Sequence, residues 1–330
     1  MDNPPRVCYS KDRTAQAPRR SVQQAAVLSA HTIQKGREAG AVRAPVTLML
    51  PTIKIGDTNI SRLIVGGNPF SGNSHVNGEV DQQMREYFST ARIKETLFRC
   101  MENGINTMQM RGDMHIMRMI MEFRQDGGDM HWIAQTASEY GSHEGNVNQI
   151  MSYKPAAIYH HGSLTDSLFK AGRYEELKQR LEVIRATGVP VGLGTHMPEV
   201  LAYAEEHNWD VDFYMASVYN LSLGYDRVSS AITGKANTGE RFEEEDIPVM
   251  YRMIRQVSKP CLAFKILGAT RRCATQETVR AAFDEAFENI KDTDAVVVGM
   301  YPKNEDQPRL NSLYTEEAIR RAEALRKAQG

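Results

Sequence analysis

From about residue 50 onward, short apolar runs rich in β-formers alternate with helix-patterned stretches, and this rhythm constrains the fold more than any other feature. A strand that returns through a helix must lie parallel to the next strand, so repeated units build a parallel sheet clothed in helices. Leu63–Val65, Ile105–Met110, Trp132–Thr136, Ala156–His160, Val189–Leu193, Phe213–Ser217, Cys261–Lys265 and Ala295–Val298 supply eight such strands. Helical spacing falls between them over Arg92–Asn103, His115–Arg124, Tyr174–Ala186, Pro198–His207, Ile247–Val257 and Gln276–Ile290, and after the last strand over Thr315–Lys327. Ahead of the first unit, Thr52–Ile55 and Asn59–Leu63 flank Gly56-Asp57-Thr58 and read as a hairpin. Eight βα units behind a hairpin predict an α/β fold, a (β/α)8 TIM barrel with the N-terminal β-hairpin as its plug. No Gly-x-Gly-x-x-Gly opens a helix after the first strand, which disfavours an open doubly wound sheet.

Residues 48–330 read as this single barrel domain, and residues 1–47 differ in kind. They hold eight Lys/Arg against three Asp/Glu, a net +5 in a chain whose total is −1. Rich in Ala, Gln, Ser and Pro, they offer too little apolar surface to offset chain entropy. They are expected to be a disordered basic leader or an upstream tail, with an organellar transit segment as the other reading. The whole chain, 41% hydrophobic and 25% charged, has the composition of a globular protein. Its near-zero charge gives no electrostatic ground for a nucleic-acid partner, and no apolar run approaches the roughly 20 residues that span a bilayer. Cys8, Cys100, Cys261 and Cys273 form no C-x-x-C spacing, which suits a reducing compartment, so a cytoplasmic protein acting on a small molecule is expected.

Several local segments fall in the order seen in one family. Thr58-Asn59-Ile60-Ser61-Arg62-Leu63 with Gly66-Gly67, then Gly104-Ile105-Asn106, then Ile158-Tyr159-His160-His161, then Tyr219-Asn220, then Ala263-Phe264-Lys265-Ile266-Leu267-Gly268, resemble the aldo-keto reductases over about residues 52–311. That resemblance implies an oxidoreductase that reduces a small carbonyl or sugar with NAD or NADP. It makes His161 the active-site histidine that polarises the carbonyl oxygen and Phe264 the ring beneath the nicotinamide. It further assigns Thr195, His196, Tyr219, Lys265, Lys303 and Arg309 to the cofactor. The family's aspartate, tyrosine and lysine positions hold Gln109, Met114 (at or near) and Thr136, so a substitute acid is sought among Asp113, His115 and Tyr140.

The residues also admit chemistry independent of that likeness. Barrel active sites lie at the C-terminal ends of the strands, where His161 ends strand four; His160, one residue earlier, belongs on the opposite face. In the alternative function the barrel is a repurposed non-redox enzyme, an isomerase, lyase or hydrolase on a sugar-like substrate, with Glu139, His161 and His196 on a divalent metal. A non-catalytic ligand-binding relative is the remaining reading. Leu221–Asp246 is long enough to serve as a lid over the barrel mouth.

Overall fold

The computed structural model describes residues 49–223, 230–233 and 240–329. The expected basic leader, Cys8 and parts of the expected lid therefore lie outside the described residues. A hairpin of β1 (Thr52–Ile55) and β2 (Thr58–Ser61) leads into β3 (Leu63–Gly66), a short 3-10 turn (Pro69–Ser71), α1 (Gly78–Tyr87) and α2 (Thr90–Glu102). The following units are β4 (Thr107–Arg111) with α3 (Met114–Gln125), β5 (His131–Gln135) with α4 (His143–Met151), and β6 (Ala157–His160) with α5 (Gly162–Lys170) and α6 (Tyr174–Arg185). Then come β7 (Val191–Thr195) with α7 (Pro198–Glu206), and β8 (Phe213–Ser217) with the single turn α8 (Ser230–Thr233) and α9 (Asp246–Gln256). The last units are β9 (Cys261–Phe264) with α10 (Gln276–Asn289), and β10 (Ala295–Gly299) with α11 (Gln307–Gln329).

Strands β3 to β10 pair in parallel and in chain order, and β10 closes the ring on β3 with Val296 opposite Leu63. The expected TIM barrel is what the chain forms. Its strands are buried on both faces, which is why they read as continuous apolar runs rather than as an alternation. One apolar layer fills the barrel from within: Ile64, Ile133, Ala157, Phe213, Met215 and Leu262 meet the hairpin's Ile53, Ile55 and Ile60. The other lies between strands and helices, with Leu63, Val65, Trp132, Ile158, Leu193 and Phe287 among its members.

The hairpin thus seals the N-terminal end of the barrel. At its turn Gly56 takes φ 57°, and a Cβ there would stand 2.7 Å from Pro190 Cγ, immediately before β7. Among the described residues, the opposite end, where the strands finish, carries no such plug. Helices α1, α4 and α5 were not foreseen; α4 has only Val147, Ile150 and Asn146 as its buried side, too short an apolar stripe to be read from sequence. Helix α11 begins at Gln307 rather than Thr315, because Pro308 is compatible with a first helical turn. No helix among the described residues is long and apolar enough to cross a membrane.

Candidate functional site

The side-chain alternation of a strand decides what reaches the barrel mouth. On β6, Tyr159 points inward with the barrel-interior cluster, and His160 points outward, fully buried, with Nδ1 2.8 Å from Thr165 Oγ1. Burial, reinforced by the neighbouring His143 and Arg180, holds the His160 imidazole well below its ordinary pKa. It is a neutral packing residue, and its Nε2 is buried without a partner among the described residues. The next residue, His161, occupies the N-cap position of α5; its amide donates to Thr136 Oγ1 (3.1 Å) and its Nδ1 lies 3.1 Å from Ser138 Oγ.

His161 and His196 line one chamber of about 90 Å³ at the C-terminal ends of the strands, together with Gln109, Arg111, Tyr159 and Lys265. His196 follows β7 directly. Its Nδ1 is 2.7 Å from Asp166 Oδ2, and its backbone N–H points at the same carboxylate. Asp166 is 1% exposed on the inner side of α5 and also accepts from Thr195 Oγ1 and Ser222 Oγ, each at 2.5 Å. Burial alone would raise its pKa, but the hydrogen bonds from His196, Ser222 and Thr195 outweigh that and hold it below the ordinary carboxylate value. A carboxylate only accepts, so the proton of a neutral His196 resides on Nδ1 and the ring's lone pair on Nε2. An imidazole fixed in this way by a buried carboxylate is an oriented proton acceptor.

The other walls of the chamber are cationic or neutral. Arg111, at the end of β4, is held by Asp113 through Nε (3.2 Å) and by Glu139 through a second, closer bond from Nη2. His75 accepts from Asn68 Nδ2 at 3.2 Å through Nε2, which puts its own proton on Nδ1 toward Glu240 Oε2 at 2.8 Å. Gln109 donates to Tyr159 Oη at 2.7 Å, and burial pushes that phenol above its ordinary pKa, so it stays neutral. Lys265 ends the β9 segment at φ 66°, a left-handed conformation that costs a non-glycine residue of order 1 kcal/mol. Such strain is concentrated at functional sites.

The remaining expected site residues are placed elsewhere. Asp113 is the N-cap of α3, accepting from Ile116 N, and His115 is exposed on the same helix. Tyr140 stands beside Asp113 and Glu139, its phenol raised chiefly by burial, and lines neither the chamber nor the cavity beside it. Thr195 spends its hydroxyl on Asp166. Tyr219 is fully buried and donates to Glu244 Oε1 at 3.1 Å. Lys303 and Arg309 are exposed and line neither space. Phe264 lines the chamber but meets the His196 ring edge-on, at 5.6 Å and 74°. The metal set Glu139, His161 and His196 is not assembled: Glu139 is committed to Arg111, His196 to Asp166, and no three metal-ligating side chains stand together among the described residues.

Asp166, Tyr159 and His75 were missed as site residues. For Asp166 a signal existed. It shares the inner stripe of α5 with Gly162 and Thr165, and a carboxylate on a buried stripe needs partners to be tolerated. His75 lies in a loop whose path no local pattern dictates.

Fold and chamber together define a (β/α)8 barrel with a carboxylate-anchored histidine at its mouth. Neither a family model nor a curated protein matches the sequence. Solved structures similar to it include a truncated 3-deoxy-D-arabino-heptulosonate 7-phosphate synthase from Thermotoga maritima, at 15% identity and TM-score 0.47, covering 85% of this chain and 94% of that one. An N-acetylmannosamine-6-phosphate 2-epimerase from Clostridium perfringens is 12% identical with TM-score 0.42, over 70% and 87% of the two chains. A Xanthomonas albilineans dihydropteroate synthase is 12% identical with TM-score 0.45, over 84% and 98%. Likenesses this distant add nothing to the barrel already evident from the strand pairing.

The expectation of an aldo-keto reductase, of its activity and of its nicotinamide cofactor is corrected on the site itself. The site gives the physical reasons. Met114, near the acid's position, is 55% exposed on α3, and Gln109 is a neutral amide already bonded to Tyr159. Thr136 is spent on the His161 backbone. Of the residues read as a cofactor set, His196, Phe264 and Lys265 line the chamber, but Thr195 is spent on Asp166, Tyr219 packs outside the chamber, and Lys303 and Arg309 face solvent.

Proposed function

We propose that this barrel is a non-redox enzyme that moves a proton on a small, oxygen-rich substrate, as in an isomerisation, epimerisation or lyase reaction beside a carbonyl. The observation that carries this reading is the buried Asp166 carboxylate, 2.7 Å from His196 Nδ1 at the open end of the barrel. In the proposed step His196 Nε2 takes a proton from the carbon next to the carbonyl. The electrons of the broken C–H bond pass into an enediolate, whose oxygen gathers the negative charge. Lys265 and the N–H groups of Arg111 and His161, lining the same chamber, would donate to that oxygen and stabilise the charge. In an isomerisation the proton returns from His196 to the neighbouring carbon while the hydroxyl proton passes from one oxygen of the enediol to the other. In a lyase reaction the bond to a substituent on the next carbon breaks instead, and the departing group takes the proton from His196. Neither course consumes an electron acceptor.

The test is solvent exchange. Small hydroxy-aldehydes, hydroxy-ketones and 2-keto acids are incubated with the protein in D2O, and incorporation of deuterium next to the carbonyl is followed by NMR. The wild-type chain is expected to catalyse exchange on at least one class, and His196→Gln to lose about 10²–10⁴-fold of it, the range for a general base. Exchange that survives unchanged in His196→Gln, or its absence across the whole panel, overturns the reading.

A further inference from the structure

Beside the reaction chamber lies a larger cavity of about 310 Å³, bounded by the loops after β3, β9 and β10 and by the first turns of α10 and α11. The two spaces share Asn68, Asn73, His75, Gln109, Phe264 and Lys265, so they adjoin along one wall. The side cavity is lined chiefly by apolar groups, Met84, Leu267, Val279, Val298 and Leu310 among them. An apolar cavity of about 150 Å³ already holds benzene, so there is room here for a ring with substituents.

The polar groups on these walls are distinctive. Gln276 donates to Glu305 Oε2 at 2.7 Å and accepts from Tyr314 at 3.0 Å, and Gln307 Oε1 accepts from the Tyr301 amide at 2.6 Å. Asn311 is different: 4% exposed and lining the cavity, its carboxamide makes no hydrogen bond among the described residues. Its amide faces the cavity with both its donor and its acceptor open to that space, so a ligand bearing an acceptor and a donor can pair with it. The fixed charges at the walls, Lys265 and Glu305, oppose one another, so a phosphate would find no net positive field. The loop that forms one wall holds Lys265, Ala269 and Thr270 at φ 66°, 49° and 77°, conformations that non-glycine residues keep only when the surroundings impose them.

We propose that the side cavity binds an uncharged, mostly apolar body of the substrate, carrying one amide-like group that pairs with Asn311. This rests on the proton-transfer reading above and deepens it. The substrate would have a small oxygen-rich head in the chamber and an aryl- or alkyl-sized body reaching past Gln109 and Phe264. A compact sugar phosphate would not fill such a site.

Benzamide and inorganic phosphate are the probes, titrated against wild-type protein carrying isotope-labelled methionine methyl groups. Met84 lines only the side cavity and Met215 only the chamber, so each reports on its own space. Benzamide is expected to shift the Met84 signal saturably and leave Met215 in place, with phosphate leaving Met84 unmoved. Asn311→Leu, with its fold checked by circular dichroism, is expected to weaken benzamide about tenfold, the loss of one buried hydrogen bond. A still Met84 signal, phosphate binding there instead, or undiminished affinity in a folded Asn311→Leu protein overturns the proposal. The two readings fail separately. Benzamide seated at Met84 without deuterium exchange removes the proton-transfer step alone, and exchange on small substrates with Met84 unmoved removes the side-cavity assignment alone.

Discussion

Asp166→Asn is the most informative single change, because it keeps the shape of the site and removes only its charge. Asp166 Oδ2 faces His196 Nδ1 and Ser222 Oγ, while Oδ1 accepts from Thr195. With Asn, one oxygen can still serve Thr195, but the amide –NH2 now faces three groups that were donors, the His196 ring, the His196 backbone N–H and Ser222. Ser222 can turn its hydroxyl to accept. His196 can accept only by moving its proton from Nδ1 to Nε2, which leaves no lone pair toward a substrate. Three charge-assisted side-chain bonds, from His196, Ser222 and Thr195, become neutral ones, a loss of about 1 kcal/mol each. Removing a buried charge offsets part of that, so stability should fall by no more than about 3 kcal/mol. Proton transfer should fall far more, by about 10³–10⁴-fold, as expected when a base is held in the wrong tautomer. Long-range 1H–15N correlation of the imidazoles reads the tautomer directly, and denaturant unfolding reads the stability. An unchanged His196 tautomer, or exchange rates equal to wild type, would refute the argument.

Two further outcomes follow from the same geometry. Gly194→Ala should cost about 1–3 kcal/mol in denaturant unfolding and disturb the His196 tautomer, because its Cβ would lie 2.8 Å from His160 O and 3.0 Å from Gly162 N, backbone atoms that carry α5; wild-type stability in that variant counts against the packing described. His160 stays neutral in the fold because its pKa is lowered by burial, whereas in the unfolded chain it takes up a proton below about pH 6.5. Stability should therefore fall as pH drops below that value, by about 1.4 kcal/mol per unit from this residue, and His160→Asn should flatten the slope. Equal slopes in the two proteins would contradict a neutral, buried His160.

The barrel was legible because its strands are buried on both faces and its helices on one, so the βα rhythm appears in the sequence itself. Placement along β6 was legible too: pleating sends Tyr159 inward and His160 outward whatever the neighbours are. What local pattern could not give was which polar groups meet. Asp166 and His196 are thirty residues apart and join only because α5 packs on β7 over Gly194. Read without that contact, His196 passed for a cofactor ligand, and Arg111 gave no sign that it would take Asp113 and Glu139 out of the site. Family-like segments such as Ala263–Gly268 proved uninformative about chemistry, since a β-strand and a tight loop demand similar residues in many barrels.

The central claim, that His196 is the base of a proton-transfer site at the barrel mouth, is tested most directly by a crystal structure with glycolohydroxamate, a planar mimic of an enediolate. Its carbon framework should lie against His196 Nε2, with its oxygens within hydrogen-bonding distance of His161 or Arg111. An analogue bound outside the chamber, or inside it with Nε2 turned away, would contradict the claim.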